Sequence, residues 1–289
     1  MEKYYKNKVA YIAFLLPAIC IFLFTVITPI IWSAGYSLFE WDGITDMEFV
    51  GLKNFVKMLT DDAKFWQVFS NNLIYVAVNA FVQPVFGLLI AILLTNFIKG
   101  REFIKTMYFT PAILSSIAIS QLFARVLSVE PLGLVNYLLT QVGLEQYVIS
   151  WTSSPDYALL VVSTIEGYRY IGLYMIILYS ALISIPTDII EAATIDGAHG
   201  FKMFSRIKFP LIKGVFGVTV VMIINGTMKG FDIPYILTGG GPAGKTELIA
   251  TYMYKTAFLT SQFGYGSAMA VFLAIECFVM VSLIRKIYT

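Results

Sequence analysis

Residues Phe69 to Phe97 read FSNNLIYVAVNAFVQPVFGLLIAILLTNF, twenty-nine residues without one Asp, Glu, Lys or Arg. A helix crossing a hydrocarbon core of ~30 Å needs about 20 mostly apolar residues, and this stretch exceeds that length. Five others qualify beside it: Val9 to Leu38, Ile104 to Leu127, Tyr157 to Ile185, Leu211 to Phe231 and Tyr265 to Ile287. Of the 289 residues, 58% are hydrophobic and 13% charged, against roughly 25% charged in an average soluble domain. That is too little charge to clothe a soluble surface and too much apolar residue for disorder. The expected fold is an all-α membrane protein, one domain over residues 1–289 with six transmembrane helices.

The first stretch follows Lys3, Lys6 and Lys8, like the start of a signal peptide, but it is too long for one and reads as a retained span. Pro17, Pro29, Pro84 and Pro111 fall within or near spans, where neighbouring helices satisfy the freed carbonyls. Net charge is +2, which gives no basis for a nucleic-acid partner. Cys20 and Cys277 lie in apolar runs at opposite ends of the chain and read as small apolar fillers, and the single histidine, His199, leaves no metal-ligand set.

Orientation follows from the basic residues. With the N-terminus inside, twelve of the twenty Lys and Arg fall in short cytoplasmic segments, around Lys3–Lys8, Lys99–Lys105, Lys202–Lys213 and Arg285–Lys286. Six fall in the longer outer segments, and Arg125 and Arg169 sit at or within spans. Both termini are therefore expected in the cytoplasm. The first outer segment is acid-rich, with Glu40, Asp42, Asp46, Glu48, Asp61 and Asp62; Trp41, Trp66 and Trp151 are interface anchors or partner contacts.

The longest inner segment, residues 186–210, reads PTDIIEAATIDGAHGFKMFSRIKFP. Pro186 breaks the fourth span, and Thr187 or Asp188 suits the cap of a short helix ending at Ile195. Gly197 and Gly200 allow a sharp turn, Phe201 to Lys208 makes a second short helix, and Pro210 opens the fifth span. The expected product is a helix-turn-helix elbow. Ala192 and Ala193 would let another surface approach closely, Glu191 and Asp196 supply charge, and Phe201, Phe204 and Ile207 can fill a groove. A plain re-entry linker is the alternative on these residues alone.

This segment resembles the EAA loop of binding-protein-dependent ABC importer permeases: EAA, three residues, Gly, nine residues, Ile, any residue, Leu, Pro. Glu191, Ala192, Ala193, Gly197, Ile207 and Pro210 stand at those places, with Phe209 where Leu is usual. Asp196-Gly197-Ala198 adds the extended form common in the sugar-importing branch. FDIPYILTGGGPAGKTELIATYMYKTAF, from Phe231, is similar to the outer loop of MalF-like and glycerol-phosphate-type permeases, and NNLIYV at Asn71 matches the second span's opening. The resemblance implies a type I importer permease fold. It further implies a bacterial cytoplasmic membrane location, a second permease subunit, two cytoplasmic ATPases and an extracytoplasmic solute-binding protein. The chain itself would catalyse nothing and bind no cofactor, with ATP and Mg on the ATPases. Glu191, Ala192, Ala193, Asp196, Gly197, Phe201, Ile207 and Pro210 would form the coupling contact.

Gly239 to Thr246, GGGPAGKT, satisfies the phosphate-loop pattern. Ile236 to Thr238 could extend before it and Thr246 to Phe258 could be helical after it, as that loop requires. Its outer placement and Pro242, which lacks an N–H, speak against a nucleotide. Gly239, Gly240, Gly241 and Pro242 instead read as a turn that touches the binding protein.

Charged residues inside spans are costly and point to a path or a paired site. Glu166 and Arg169, three apart, can pair on one helix face; Tyr170 and Leu173 continue it, with Tyr174 beside it. Aromatic faces with a few polar groups suit sugar rings. Asn225 and Lys229, one turn apart in the fifth span with Thr227 and Asp232 near, are further path candidates or helix-to-helix contacts. Glu276 could pair across a permease dimer. The expected activity is import of a carbohydrate, an oligosaccharide in the first place. The alternatives are an ion-coupled secondary transporter, an ABC permease for another solute such as a glycerol phosphodiester, and a membrane-anchored nucleotide enzyme.

Overall fold

The computed structural model describes residues 8–96 and 99–288; Lys3, Lys6 and Phe97 of the sequence argument lie outside the described residues. The chain runs through α1 (Lys8–Phe22), α2 (Thr28–Tyr36), β1 (Phe39–Glu40), β2 (Glu48–Phe49), α3 (Lys53–Thr60), α4 (Ala63–Asn96) and α5 (Arg101–Ile113). It continues through α6 (Ser116–Val126), α7 (Leu134–Gln141), α8 (Ala158–Ile183), α9 (Thr187–Ile195), α10 (Gly200–Met203) and α11 (Phe209–Met228). The last helices are α12 (Asp232–Thr238), α13 (Ile249–Tyr254) and α14 (Phe263–Tyr288).

Five helical stretches are long and apolar enough to cross a membrane: Ile12–Tyr36, Ala63–Thr95, Ala158–Ile183, Gly200–Met228 and Phe263–Ile284. They match five of the six expected spans. The expected third span, Ile104 to Leu127, is α5 and α6, bent by 101° at Leu114 and Ser115, and the count reaches six if this pair is one span. Leu114 is extended (ψ 149°), and the Ser115 hydroxyl accepts from the Ile117 N–H, which restarts the helix. A serine cap costs little to form and competes well with helix continuation.

Two prolines are absorbed by π turns. Leu23–Ile27 and Phe204–Lys208 each end two residues before a proline, Pro29 and Pro210. A proline ring clashes with the carbonyl four residues back, here Thr25 and Arg206, both inside the π turns. The widened register moves that carbonyl aside. Pro210 therefore does not open a span; it lies within a continuous helical stretch from Gly200 to Met228.

The chain forms two compact units: residues 1–62 with 253–272, and 63–252 with 273–289. In the first, β1 and β2 pair antiparallel, Phe39 opposite Phe49. Lys53 bonds Glu40 at 2.9 Å, a hydrogen bond that holds the Glu40 carboxyl below its usual range. Backbone donation from Thr45 lowers Asp42 likewise. Buried Asn54 donates to the carbonyls of Ser37 and Phe39, and Tyr265 donates to Asp62 at 2.5 Å. Cys20 in α1 is exposed rather than packed, unlike the filler expected; Cys277 is buried.

The second unit is built on α4 and α8, with α5 and α11 against them. Ala91, Leu94, Met175, Leu178, Tyr179 and Ile212 form one apolar core; Tyr75, Ile119, Val162, Ile165, Ile233 and Leu248 belong to another. A Cβ at Gly172 would strike the Tyr108 carbonyl oxygen, so only glycine lets α8 cross α5 this closely. Trp66 is exposed, whereas the Trp151 indole donates to Asn136 Oδ1 at 2.9 Å and acts inside its own loop.

Candidate functional site

The elbow after α8 is a small self-contained corner. Pro186 occupies the cap position of α9 with no side-chain cap bond, so neither Thr187 nor Asp188 performs the expected capping. Gly197 (φ +76°) ends the helix in the left-handed region, and the Ala198 N–H returns to the Ala193 carbonyl at 2.9 Å. Gly200 (φ +52°) makes the second bend. The corner closes over its own apolar core of Ala193, Ala198 and Met203, with Ile190 and Ile207 packed against it.

This packing divides the expected coupling residues. Glu191, Ala192, Asp196, Gly197, Phe201 and Pro210 are exposed. Ala193 is buried in the elbow's own core and Ile207, partly buried, packs against it. Phe201 is 81% exposed and Ile195 86%. Sequence reasoning missed Ile195, although it stands four residues after Glu191 and three after Ala192, on their face of α9. His199 is exposed.

The glycine loop is folded on itself. A helix, α12, runs into it where a phosphate loop needs a strand. Gly239, Gly240, Ala243 and Gly244 all have positive φ. The Thr246 hydroxyl, which would hold the metal in a nucleotide site, is buried, donates to the Gly241 carbonyl at 2.7 Å and meets Thr238 Oγ1 at 2.6 Å. The next helix begins at Ile249. Gly239 and Ala243 stand exposed at the tip, with Gly241 and Pro242 partly so and Gly240 buried.

In α8 the expected Glu166–Arg169 ion pair does not form. Glu166 Oε2 is buried without a hydrogen-bond partner. The Arg169 guanidinium turns to the Leu114 carbonyl at 3.5 Å and lies 5.0 Å from the centre of the Tyr170 ring. The break after α5 leaves that carbonyl without a helical donor, and a guanidinium carries five donors; it goes to the unpaired acceptor. Tyr170 and Leu173 are half-buried and Tyr174 is buried on the same side of α8. Asn225 is half-buried and Lys229 exposed, at the end of α11. Among the described residues, both carboxylate oxygens of Glu276 are buried without a hydrogen-bond partner.

Three polar features escaped the sequence reading. Ser116, just past the bend, donates to Asp232 Oδ2 at 2.6 Å. Tyr75 is fully buried with its hydroxyl unpaired. Along α4, Asn72, Asn79 and Gln83 form a buried polar row; Asn79 donates to the Tyr75 carbonyl at 2.9 Å and Gln83 to Asn79 Oδ1 at 2.8 Å. The spacing of seven and then four on one face was the available signal, and polar residues so placed join helices in lipid.

Comparison with known proteins agrees with this architecture. The family model described as "Binding-protein-dependent transport system inner membrane component" matches residues 83–288. The probable ABC transporter permease YurN of Bacillus subtilis is 36% identical, over 92% of this chain and 91% of its own. AmyD of Thermoanaerobacterium thermosulfurigenes, a probable permease of a starch degradation products transport system, is 32% identical, over 93% and 90%. In fold, the chain superposes on a bacterial alginate ABC transporter, crystallised with its alginate pentasaccharide-bound periplasmic protein, with a TM-score of 0.85 at 23% identity, covering 99% and 98%. The chain, a multi-pass membrane protein, belongs to the family of binding-protein-dependent transport system inner membrane components.

Proposed function

We propose that this chain is one of two permease subunits of an ATP-driven importer that carries a carbohydrate, an oligosaccharide in the first place, from a solute-binding protein into the cytoplasm. The carrying observation is the elbow. It is a rigid corner with its own core, and its outward face bears Glu191, Ala192, Ile195, Asp196, Gly197 and Phe201. Nothing in that face performs bond chemistry; it suits docking into a cleft of an ATPase subunit that holds the ATP and Mg. The carbohydrate reading draws on the cargo of AmyD and on the Tyr170–Leu173–Tyr174 face of α8 beside half-buried Glu166 and buried Arg169.

In this reading both termini and the elbow face the cytoplasm. The acid-rich segment after α2 and the Gly239–Pro242 turn face outward to the binding protein. Closure of the ATPases around ATP draws two elbows together and opens the spans outward; hydrolysis resets them inward. A corner with a packed core transmits such motion because it moves as a body.

The test is transport in vesicles holding both permeases and the ATPases. Glu191→Lys and Gly197→Asp should leave membrane insertion intact while ATP hydrolysis no longer drives uptake; normal uptake by both variants refutes the docking role. Tyr170→Ala should change uptake rate or sugar preference; unchanged kinetics removes Tyr170 from the path. Labelling of a cysteine placed at Lys245 from outside the cell tests sidedness.

A further inference from the structure

Helix α4 is longer than a bilayer requires. Its apolar stretch, Ala63–Thr95, has 33 residues, about 50 Å at ~1.5 Å per residue against a core of ~30 Å. Its only charged residue, Lys64, lies in the first turn with Gln67, Asn71 and Asn72 soon after it, Asn79 and Gln83 lie midway, and the last turns, from Leu88 to Leu94, are apolar. The excess length therefore stands clear of the lipid at the N-terminal end.

Those first turns grip the glycine loop. Gln67 Nε2 donates to the Ala243 carbonyl at 3.2 Å. Asn71 Nδ2 donates to the carbonyls of Gly244 and Glu247, at 2.9 and 3.0 Å. Lys64 Nζ lies 3.1 Å from Glu247 Oε2, and also sits over the Tyr252 ring at 4.5 Å. Positions 64, 67 and 71 share one helix face, so a single stripe of α4 holds the loop at Ala243, Gly244 and Glu247.

The Glu247 side chain is 3% exposed and that of Lys64 48%. Removing the cation from a carboxylate taken that far from water is costly, so the ion pair adds to the hold that Gln67 and Asn71 exert on the loop. The tip, from Gly239 to Gly244, has no apolar core: four of its six residues are glycine. Its shape comes from its own hydrogen bonds, such as Thr246 to the Gly241 carbonyl, and α4 holds that shape in place from Ala243 to Glu247.

We infer that Lys64 and Glu247 are positioning residues, whose ion pair holds the Gly239–Pro242 turn in the orientation that a solute-binding protein recognises. The pair governs affinity for that protein without being part of the contact. The inference rests on the proposed reading of the turn as a docking surface.

The experiment uses the assembled transporter in lipid, with both permeases and ATPases, titrated with its sugar-loaded binding protein while ATP hydrolysis is followed. Glu247→Gln and Lys64→Met should each raise the half-saturating binding-protein concentration about tenfold, with basal and maximal hydrolysis within about twofold of the parent. The double variant should be no worse than the worse single one, because one interaction is lost only once; Lys64→Arg should restore the parent value. Unchanged half-saturation in both single variants, additive losses in the double variant, or a fall in maximal rate alone each overturns the inference. Ala243→Glu, at the exposed tip, tests the docking reading separately. A shift with Ala243→Glu and none with the pair sinks only the positioning role. No shift with Ala243→Glu sinks the docking surface, and with it the role assigned to the pair.

Discussion

The elbow after α8 and the loop after α12 are both glycine-bearing corners at the end of a helix, yet they are held by opposite means. The elbow closes on apolar side chains of its own: Ala193, Ala198 and Met203 are buried among Ile190 and Ile207. The loop buries polar groups, Thr246, Glu247 and Thr251, and borrows its rigidity from Lys64, Gln67 and Asn71 on α4. A corner with an internal core moves as a unit and can carry a push. A corner tied by directional bonds to a long helix is set in one orientation and can be read by a partner.

The contrast can be broken most severely at Ala193. Ala193→Glu puts an unpaired charge in the elbow's core, at a cost of several kcal/mol; the ATPase subunits should no longer co-purify with the permease, while the rate of trypsin cleavage at Lys245 in the loop stays unchanged. Asn71→Ala comes next. It removes hydrogen bonds to one buried and one partly buried carbonyl, about 1–3 kcal/mol of local stability, and trypsin should then cut at exposed Lys245 faster, with cleavage at Lys202 in the elbow unchanged.

Gly197→Ala sharpens the same comparison on a finer scale. Forcing a Cβ into φ +76° costs about 1–2 kcal/mol, and no atom crowds the position, so the effect is backbone strain alone. A modest fall in coupled uptake with unchanged binding-protein affinity is the expected result. Ile195→Ala is the smallest in stability, within about 0.5 kcal/mol at an exposed site. It should nevertheless weaken ATPase association, and an unaltered association constant would remove Ile195 from the coupling face.

Much of this was legible in the chain before any coordinates. The spans were, because lipid demands apolar length and nothing else in the chain competes with that demand. The elbow's outline was, because Pro186 ends a helix and Gly197 and Gly200 open the left-handed backbone region wherever they stand. The Glu166–Arg169 pair was not. Its i, i+3 spacing favours a local bond, but the break at Leu114 leaves a carbonyl from another helix that claims the guanidinium. The break itself rests on one serine cap at Ser115, a weak signal inside an apolar run. The inward turn of Ala193 and Ile207 was hidden for a related reason: a short corner with apolar residues on more than one side, such as Ile195 and Phe201 opposite Ala193, does not itself say which is covered.

By itself the sequence determined that this chain lives in lipid, which stretches of it are apolar enough to cross, and that one corner has the residues of an importer's coupling loop. Those properties depend on composition, spacing and backbone restriction, which are local. Only the tertiary structure decided which residues of the corner look outward, that the third span bends by 101°, and that Lys64 and Glu247, 183 positions apart, share one ion pair. Each of these depends on which distant group reaches a buried polar atom first, and spacing along the chain does not encode that.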